Sequence, residues 1–397
     1  MTRSRSRPSA LEYFTAEQVE RARRYHRPLY LLFPLDLVLD FAVLGVLAFG
    51  PAGTWLNSWL EGLPFWAEAA AWPALVVVLG WAIGLPISYW RGHVHESRWG
   101  FSTQTARGWF VDRLKGVAVA EVLTTAVMVG FLGIVRWLPS AWPAVAAAGA
   151  AALVLFLSFI APVVLEPVFN RFRPLDDQAM ADDLRALARR AGVPVRDVLV
   201  ADASRRTRKE NAYVSGLGRT RRVVVYDTLL DRADPAEVRL VAAHELGHRR
   251  MRHVAWWTLI AVAGAVAAVV VVWPFLEVGA VLRVLGASGP GDPRVVPFVL
   301  LVGGVLQLVG MPAAAALSRR WESAADRFAL GLTADPKVFE GSFRALAVSN
   351  LLDLDPPRWL YVSTFTHPTP PERIAAGLRW AAELAPLSSR SPPTTAS

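Results

Sequence analysis

The sequence predicts a mainly α-helical, multi-pass membrane protein with a soluble part that contains a small β-hairpin. Two observations predict this fold class. Hydrophobic residues make up 54% and charged residues only 19% of the 397 residues, which is too apolar for an ordinary soluble protein. The apolar residues also lie in long runs that alternate with arginine-rich blocks, so the chain divides into membrane spans and extramembrane segments.

Composition also excludes several classes of function. The formal net charge of +9 would suit a nucleic-acid-binding protein, but the arginines lie beside the apolar runs and form no basic patch interleaved with aromatic residues. We therefore expect no nucleic-acid partner. The chain has no cysteine, which excludes disulfides, thiolate metal ligands and thiol nucleophiles. The basic N-terminus does not resemble a cleavable signal peptide, so the first apolar run should remain as a span.

Six apolar runs reach the roughly 20 residues that a helix needs to cross the bilayer. They cover about residues 28–49, 66–90, 115–138, 142–166, 254–276 and 295–318. The connections at 50–65 and 139–141 contain no lysine or arginine, whereas the N-terminus and the 91–114 loop are arginine-rich. By the positive-inside rule, both termini and the arginine-rich segments are therefore cytoplasmic.

These spans divide the chain into six segments. In order they are a basic cytoplasmic N-terminus (1–27), spans one to four with a cytoplasmic loop at 91–114 (28–166), a cytoplasmic part (167–253), spans five and six (254–318), a second cytoplasmic part (319–384) and a disordered tail rich in Ser, Pro and Thr (385–397).

Local patterns predict the elements of the first cytoplasmic part. Residues 181–191 are expected to form a helix, and residues 197–201 a short buried strand. Two further strands, at 211–216 and 223–226, are joined by a glycine-containing turn.

Several polar residues lie in or beside the spans. Asp36 and Asp40 lie four residues apart inside span one, where a carboxylate is costly. They either line a hydrated cavity, or pair with arginines or lie near an interface. Four histidines in or beside the spans are treated as non-ligands: His26, His93, His95 and His253.

A helix that begins with Asp234 as N-cap, Pro235 at its first position and Glu237 three residues after the cap leads into a metal-binding pattern. That pattern is His244-Glu-Leu-Gly-His248. Residues i and i+4 share one helix face, so both imidazoles can reach a single ion. Glu245 lies beside them, where a carboxylate takes a proton from the attacking water and later passes it to the leaving amine.

A third ligand comes from a predicted helix farther along the chain. Glu322 and Asp326 lie four residues apart on it, so Glu322 could bind the metal while Asp326 orients a ligand imidazole. Two imidazoles and a carboxylate leave one position open, which is typical of catalytic zinc. We therefore expect one zinc ion per chain, held by His244, His248 and Glu322. The alternative is a solvated face whose carboxylates pair with nearby arginines.

Motifs distributed over most of the chain resemble those of the membrane metallopeptidases that include the type I CAAX prenyl protease and its bacterial relatives. The motifs lie at 100–110, 167–172, 211–213, 244–248, 322–326 and 367–373. The resemblance implies a helical transmembrane chamber that carries a zincin-like catalytic domain, with the zinc site facing the interior of the chamber. Members of the family are described with seven spans, whereas six are counted in this sequence.

The resemblance also implies roles for residues outside the metal-ligand pattern. His367 and Arg373 match positions near the metal, where they could donate to the developing oxyanion or hold substrate. The edge strand along which substrate would lie through main-chain hydrogen bonds corresponds to Asn211, Ala212, Tyr213 and Gly216. The alternatives are a simple turn at His367-Pro368 and an ordinary hairpin strand.

Together these observations predict an integral-membrane zinc metalloendopeptidase whose partners are the lipid bilayer and peptide or membrane-protein substrates, including CAAX-like ones. The segments 167–253 and 319–384 would be its catalytic parts. The arginine- and alanine-rich composition is typical of bacteria, which predicts the inner membrane, with the zinc site on the cytoplasmic side, and favours a role in membrane-protein quality control. The alternatives are a catalytically silent, zinc-stabilised scaffold, against which the intact Glu245 argues, and a soluble binding module on transporter-like helices. The sequence specifies neither a cleavage preference nor an oligomeric state.

Overall fold

The computed structural model of the protein describes residues 7–216 and 218–384, and six of its helices are long and apolar enough to cross a membrane. The secondary structure of the N-terminal part is almost entirely helical. Its helices are α1 (Ala16–Phe49), α2 (Pro51–Leu60), α3 (Phe65–Tyr89), α4 (Glu96–Arg98), α5 (Ala106–Trp137), α6 (Trp142–Ile160) and α7 (Glu166–Phe169). π-helical turns connect α3 to α4 and α6 to α7. The tail predicted at 385–397 lies outside the described residues.

The next part contains a four-stranded sheet. Its elements are β1 (Phe172–Pro174), α8 (Gln178–Arg190), β2 (Asp197–Ala201), β3 (Ala212–Ser215), β4 (Arg222–Tyr226), α9 (Asp227–Leu230) and α10 (Pro235–Arg250). The strand order is β1-β2-β4-β3, with β2 and β4 parallel and the other two pairs antiparallel. The predicted hairpin is therefore present, and β3 forms one edge of the sheet. The sequence did not predict the parallel pairing of β2 with β4.

The last part returns to the membrane and then completes the soluble region. Its helices are α11 (His253–Glu277), α12 (Gly279–Val284), α13 (Val296–Thr333), α14 (Pro336–Ser349), α15 (Arg358–Thr364) and α16 (Pro370–Leu384). Arg252 adopts a left-handed conformation, with φ of 57°, between α10 and α11, so the chain turns there. Helix α13 continues without a break from the apolar run of span six into the soluble region, and this continuation carries Glu322 and Asp326.

Besides a small cluster of Tyr25, Phe101 and Leu351, two large and separate hydrophobic cores hold the described part of the chain together. One lies where the spans end on the side opposite the sheet, and it includes Trp72, Leu132, Trp142, Leu276 and Val296. The other lies in the soluble region and includes Leu184, Val225, Leu246, Leu330 and Phe339. Along the spans themselves few side chains are buried inside the protein, and in the α6 region none are in the most apolar window. These outward-facing apolar surfaces are suited to a bilayer.

The two aspartates of span one have different environments. The Asp36 carboxylate forms an ion pair with Arg91. Asp40 lines a cavity of about 500 Å³ between the spans, together with Thr124 and Gln307. Pairing with an arginine, one of the alternatives, is therefore observed for Asp36, while Asp40 faces a cavity between the spans.

Candidate metal centre

Helix α10 begins as predicted and is positioned by close packing on α13. Asp234 and Glu237 form a reciprocal capping box around Pro235. Gly247 faces α13, where an added Cβ would lie 3.0 Å from Cδ1 of Phe328 and 3.4 Å from Cα of Ala325. The close approach of the two helices compensates for the cost of glycine within a helix, which is about 1 kcal/mol. This packing brings the His244 and His248 side of α10 next to Glu322.

The three predicted ligands converge. Nε2 of His244 and Nε2 of His248 lie 3.1 Å apart. The Glu322 carboxylate lies 3.2 Å from each of them, through Oε2 to His244 and Oε1 to His248. Glu322 is only 5% exposed, so a carboxylate and two ring nitrogens face one another with little access to water.

The donors fit a divalent cation. Oε2 of Glu322 is buried and accepts no hydrogen bond from the described residues. Burial by itself lowers the pKa of His244, but the neighbouring carboxylates of Asp326 and Glu322 raise it to about 9 overall. The negative charge of these carboxylates stabilises a proton on the imidazole, and it would equally stabilise a metal cation in the position of that proton. Two imidazoles and one carboxylate are a donor set typical of zinc.

His244 is supported from behind by a buried ion pair. Its Nδ1 lies 2.9 Å from Oδ1 of Asp326, which is 1% exposed. The other carboxylate oxygen of Asp326 accepts a hydrogen bond of 2.8 Å from Nε of Arg373. The resemblance had suggested that Arg373 donates to the oxyanion or holds substrate. Because its guanidinium is occupied by Asp326 and also lies over the Phe343 ring, the geometry instead favours a positioning role.

His248 has a partner that sequence reasoning missed. Nδ1 of His248 lies 2.9 Å from Nδ1 of His253, and the His253 ring stacks on Trp321 with a centroid distance of 4.7 Å. His253 is not one of the three residues whose donor atoms converge, but it contacts one of them. The spacing of five residues between His248 and His253 was the only sequence feature that pointed to this contact. The contact forms because the chain turns at Arg252, which the sequence did not predict.

Two of the histidines away from the metal centre contact backbone carbonyl groups. His26 lies 2.7 Å from the Leu351 carbonyl oxygen, and His95 lies 3.0 Å from that of Tyr25.

Glu245 and His367 border a cleft beside the cluster. Both line a cavity of about 270 Å³ that also reaches Asn211. Burial raises the pKa of the Glu245 carboxyl, and the neighbouring His244 and His248 lower it by a smaller amount, so the pKa lies above its usual value. A raised pKa suits a group that accepts a proton. Nε2 of His367 lies 3.4 Å from Oε2 of Glu322, and its side chain is largely exposed. The structure therefore brings His367 to the open side of the cluster.

The expected substrate strand is β3 with its flanking residues. Ala212 and Tyr213 lie within β3, Asn211 precedes it, and Gly216 follows it with φ of +80°. β3 pairs with β4 on one side only. On the other side, the Asn211 side chain accepts a hydrogen bond of 2.9 Å from the Ala212 amide.

The free edge of β3 carries a second contact that was not expected. Arg249, immediately after His248 in the chain, donates from both Nε and Nη2 to the Val214 carbonyl oxygen. Tyr226 bonds the Asn211 carbonyl on the β4 side, so by alternation the Val214 carbonyl points away from β4. Arg249 therefore occupies an acceptor that an added strand would use.

Two protein-family models match this chain. Residues 174–381 match the model of peptidase family M48. Residues 1–171 match a model described as the CAAX prenyl protease N-terminal region with five membrane helices. Among the described residues of this region, four helices are long and apolar enough to span a membrane, so the chain departs from that description by one span.

One individual relative extends over both regions, and a second matches about half of the chain. An "uncharacterized metalloprotease YhfN" of Bacillus subtilis is 28% identical over 359 residues, covering 89% of this chain and 84% of the relative. CAAX prenyl protease 1 of Saccharomyces cerevisiae is 31% identical over 189 residues, covering 47% of this chain and 42% of the relative.

A solved structure shares the whole fold. The crystal structure of S. mikatae Ste24p matches with a TM-score of 0.82 at 22% identity, covering 94% of this chain and 92% of that one. This match confirms the predicted mainly α-helical, multi-pass fold with its helical membrane chamber. The chain therefore belongs to peptidase family M48 and is a membrane metalloprotease.

Proposed function

We propose that this protein is a zinc metalloendopeptidase that cleaves membrane-associated peptides and proteins at the cytoplasmic face of a bacterial inner membrane. The observation that carries the proposal is the buried cluster of His244, His248 and Glu322, with Glu245 beside it in an open cleft. These three ligands would hold one zinc ion. When bound, zinc supplies a Lewis acid that polarises the scissile carbonyl and acidifies water.

The protein side chains supply the remaining chemistry. Glu245 accepts the proton of the attacking water and delivers it to the leaving amine. His367, at the open side of the cluster, donates a hydrogen bond to the oxygen on which negative charge develops. Asp326, held by Arg373, fixes the orientation of His244. The substrate lies along the free edge of β3 as an added strand.

The location of the cleft supports a substrate that is anchored in the bilayer. The span helix α11 begins at His253, five residues after His248, and α13 reaches Glu322 directly from span six. The metal centre is thus close to the cytoplasmic membrane boundary, where the positive-inside rule also places both termini. Such a site suits clearance of damaged membrane proteins and also CAAX-like peptides that carry a lipid.

The decisive test compares the natural chain with Glu245→Gln in detergent, by metal content and by cleavage of a quenched peptide library. Both proteins should bind one zinc ion, and the variant should cleave about 10²- to 10⁴-fold more slowly because the general base is lost. Glu383→Gln is a suitable control, because Glu383 is exposed and pairs only with Arg327 among the described residues. If the natural chain and the variant both bind zinc and neither cleaves any peptide, the protein acts as a zinc-stabilised scaffold.

Substrate class needs separate measurements. Matched peptides with and without a prenyl group would reveal a preference for CAAX-like substrates. For quality control, membrane-protein abundance during envelope stress should be compared between cells that carry the natural protein and cells that carry Glu245→Gln. Unchanged abundance of all membrane proteins would rule out that role.

A further inference from the structure

A second cavity, of about 670 Å³, lies behind the metal centre and is rich in arginine. Five arginines line it: Arg7, Arg319, Arg320, Arg373 and Arg379. Asp326 and Arg373 line both this cavity and the metal cleft, so their ion pair forms a common wall. The two cavities are therefore adjacent but chemically distinct.

The positive charge in this cavity is not balanced by the described residues. Arg373 is paired with Asp326. The other carboxylate of the lining, Glu372, accepts hydrogen bonds from Tyr361 and Thr369. Arg320 and Arg379 are exposed, and neither has an ion pair within the described part of the chain.

The remaining two arginines are held rigidly, and within the described residues only Arg7 reaches an anion, Asp355 at 3.9 Å. The Arg7 and Arg319 guanidinium groups lie 4.7 and 4.6 Å from the centre of the Tyr361 ring. Arg319 donates to the carbonyl oxygens of Tyr361 and Phe365, and Arg7 donates to that of Pro356. Nη1 of Arg7 is buried and has no acceptor among the described residues, and the nearest carboxylate to Arg7 is 3.9 Å away.

Convergent guanidinium groups of this kind favour a phosphate group, which accepts several charge-assisted hydrogen bonds at once. The cavity lies at the membrane boundary, because Arg319 and Arg320 directly follow the apolar run of span six on α13. The neighbouring helix α15 exposes Trp359 and Val362, three residues apart, as is typical of a helix at the membrane interface.

We propose that this cavity binds the phosphate of an anionic phospholipid headgroup from the cytoplasmic leaflet. The lipid tails then lie beside span six, while the phosphate neutralises the cluster formed by Arg7, Arg319, Arg320 and Arg379. Basic pockets next to the cytoplasmic ends of spans are suited to such headgroups. The site does not depend on the proposed peptidase mechanism, because none of these four arginines contacts a metal ligand.

The test titrates the purified full chain, in neutral detergent, with phosphatidylglycerol and, in parallel, with phosphatidylcholine, and counts bound lipids by native mass spectrometry. Arg320→Gln with Arg379→Gln should weaken phosphatidylglycerol binding about 25-fold, at roughly fivefold for each arginine near a membrane surface. The matched control is Arg98→Gln with Arg107→Gln, which removes two exposed arginines of the 91–114 loop that form no ion pair with the described residues, and it should change binding less than twofold. Unchanged thermal unfolding of both variants shows that they are folded.

Three results would overturn the proposal. The first is equal binding of the two lipids by the natural chain, a comparison that needs no variant. The second is an equal loss of binding in the control variant, which would mean that only the general surface charge matters. The third concerns the source of the phosphate: if inorganic phosphate alone displaces phosphatidylglycerol at millimolar or lower concentration, the site takes a free anion and not a lipid.

Discussion

The two imidazoles of the metal centre are supported by different chemistry. His244 rests against the carboxylate of Asp326, which is itself paired with Arg373 in the interior. His248 rests against another imidazole, that of His253, at the first residue of a span helix. The orientation of His244 therefore depends on an ion pair buried in the soluble region, which we call the buried side of the metal centre. The orientation of His248 depends on the direction in which α11 leaves α10, and we call this the open side.

This difference suggests that the soluble region and the membrane spans each position one of the two imidazoles. On the buried side, the contacts of His244 with Asp326 and of Asp326 with Arg373 connect α10, α13 and α16. These three helices also pack together in the soluble hydrophobic core. On the open side, the contact between His248 and His253 connects α10 to α11 across the turn at Arg252, and the His253 ring stacks on Trp321. Substitutions on the buried side should therefore affect both metal affinity and folding, whereas those on the open side should affect metal or substrate alone.

Among substitutions of the residues around the two imidazoles, Asp326→Asn should have the largest effect. It removes the anion behind His244 and leaves the buried Arg373 cation unpaired. Zinc affinity should fall about 10- to 100-fold, as for other residues that orient metal ligands. The free energy of unfolding should fall by roughly 3–5 kcal/mol, because a buried charge loses its partner. Chelator competition and thermal unfolding measure the two effects.

A double variant separates these two effects. Asp326→Asn combined with Arg373→Gln should regain much of the stability, since no unpaired charge remains, but not the zinc affinity. Equal zinc affinity in Asp326→Asn and the natural chain would refute the positioning role of Asp326.

His253→Phe should have a smaller effect that is confined to the metal. Phenylalanine preserves stacking on Trp321 but removes the ring nitrogen that contacts His248. Zinc affinity should fall about tenfold, the lower end of the range for such partners. His95→Phe, which changes a buried histidine away from the metal centre, should leave zinc affinity unchanged. An equal fall in both variants would argue against a specific support of His248.

Arg249→Met should change substrate binding and leave the metal in place. Its removal frees the Val214 carbonyl for a substrate strand, so KM for peptides should decrease about two- to tenfold, the value of one net hydrogen bond. Arg250→Met, at the exposed neighbouring position, provides the control. A higher KM in Arg249→Met would instead mean that Arg249 itself binds substrate.

Gly247→Ala should have the smallest effect and tests the helix contact that both sides share. The added Cβ would press on Phe328, and overpacking costs about 1–3 kcal/mol, of which about 1 kcal/mol is recovered as helix propensity. A modest decrease in the unfolding temperature is expected. Gly331→Ala, where no atom lies within 4 Å of the added Cβ, should raise it slightly. A stabilised Gly247→Ala would show that α10 and α13 have room to separate.

Much of the fold and of the metal-ligand set could be predicted from the sequence. The six spans follow from runs of apolar residues, and the start of α10 follows from its cap. His244 with His248, and Glu322 with Asp326, share helix faces because residues four apart always do so. The sequence also indicated the hairpin of β3 and β4 through its β-branched residues and glycine turn.

Contacts between segments far apart in the chain could not be predicted in this way. Three such features depend on how helices and strands are oriented relative to one another. They are the ion pair of Arg373 with Asp326, the hydrogen bonds from Arg249 to the Val214 carbonyl oxygen, and the arginine-lined cavity around Tyr361. Even the nearby pair of His248 and His253 depends on a backbone turn. Periodicity and capping fix each helix and its faces locally, whereas the packing of the two cores decides which faces meet.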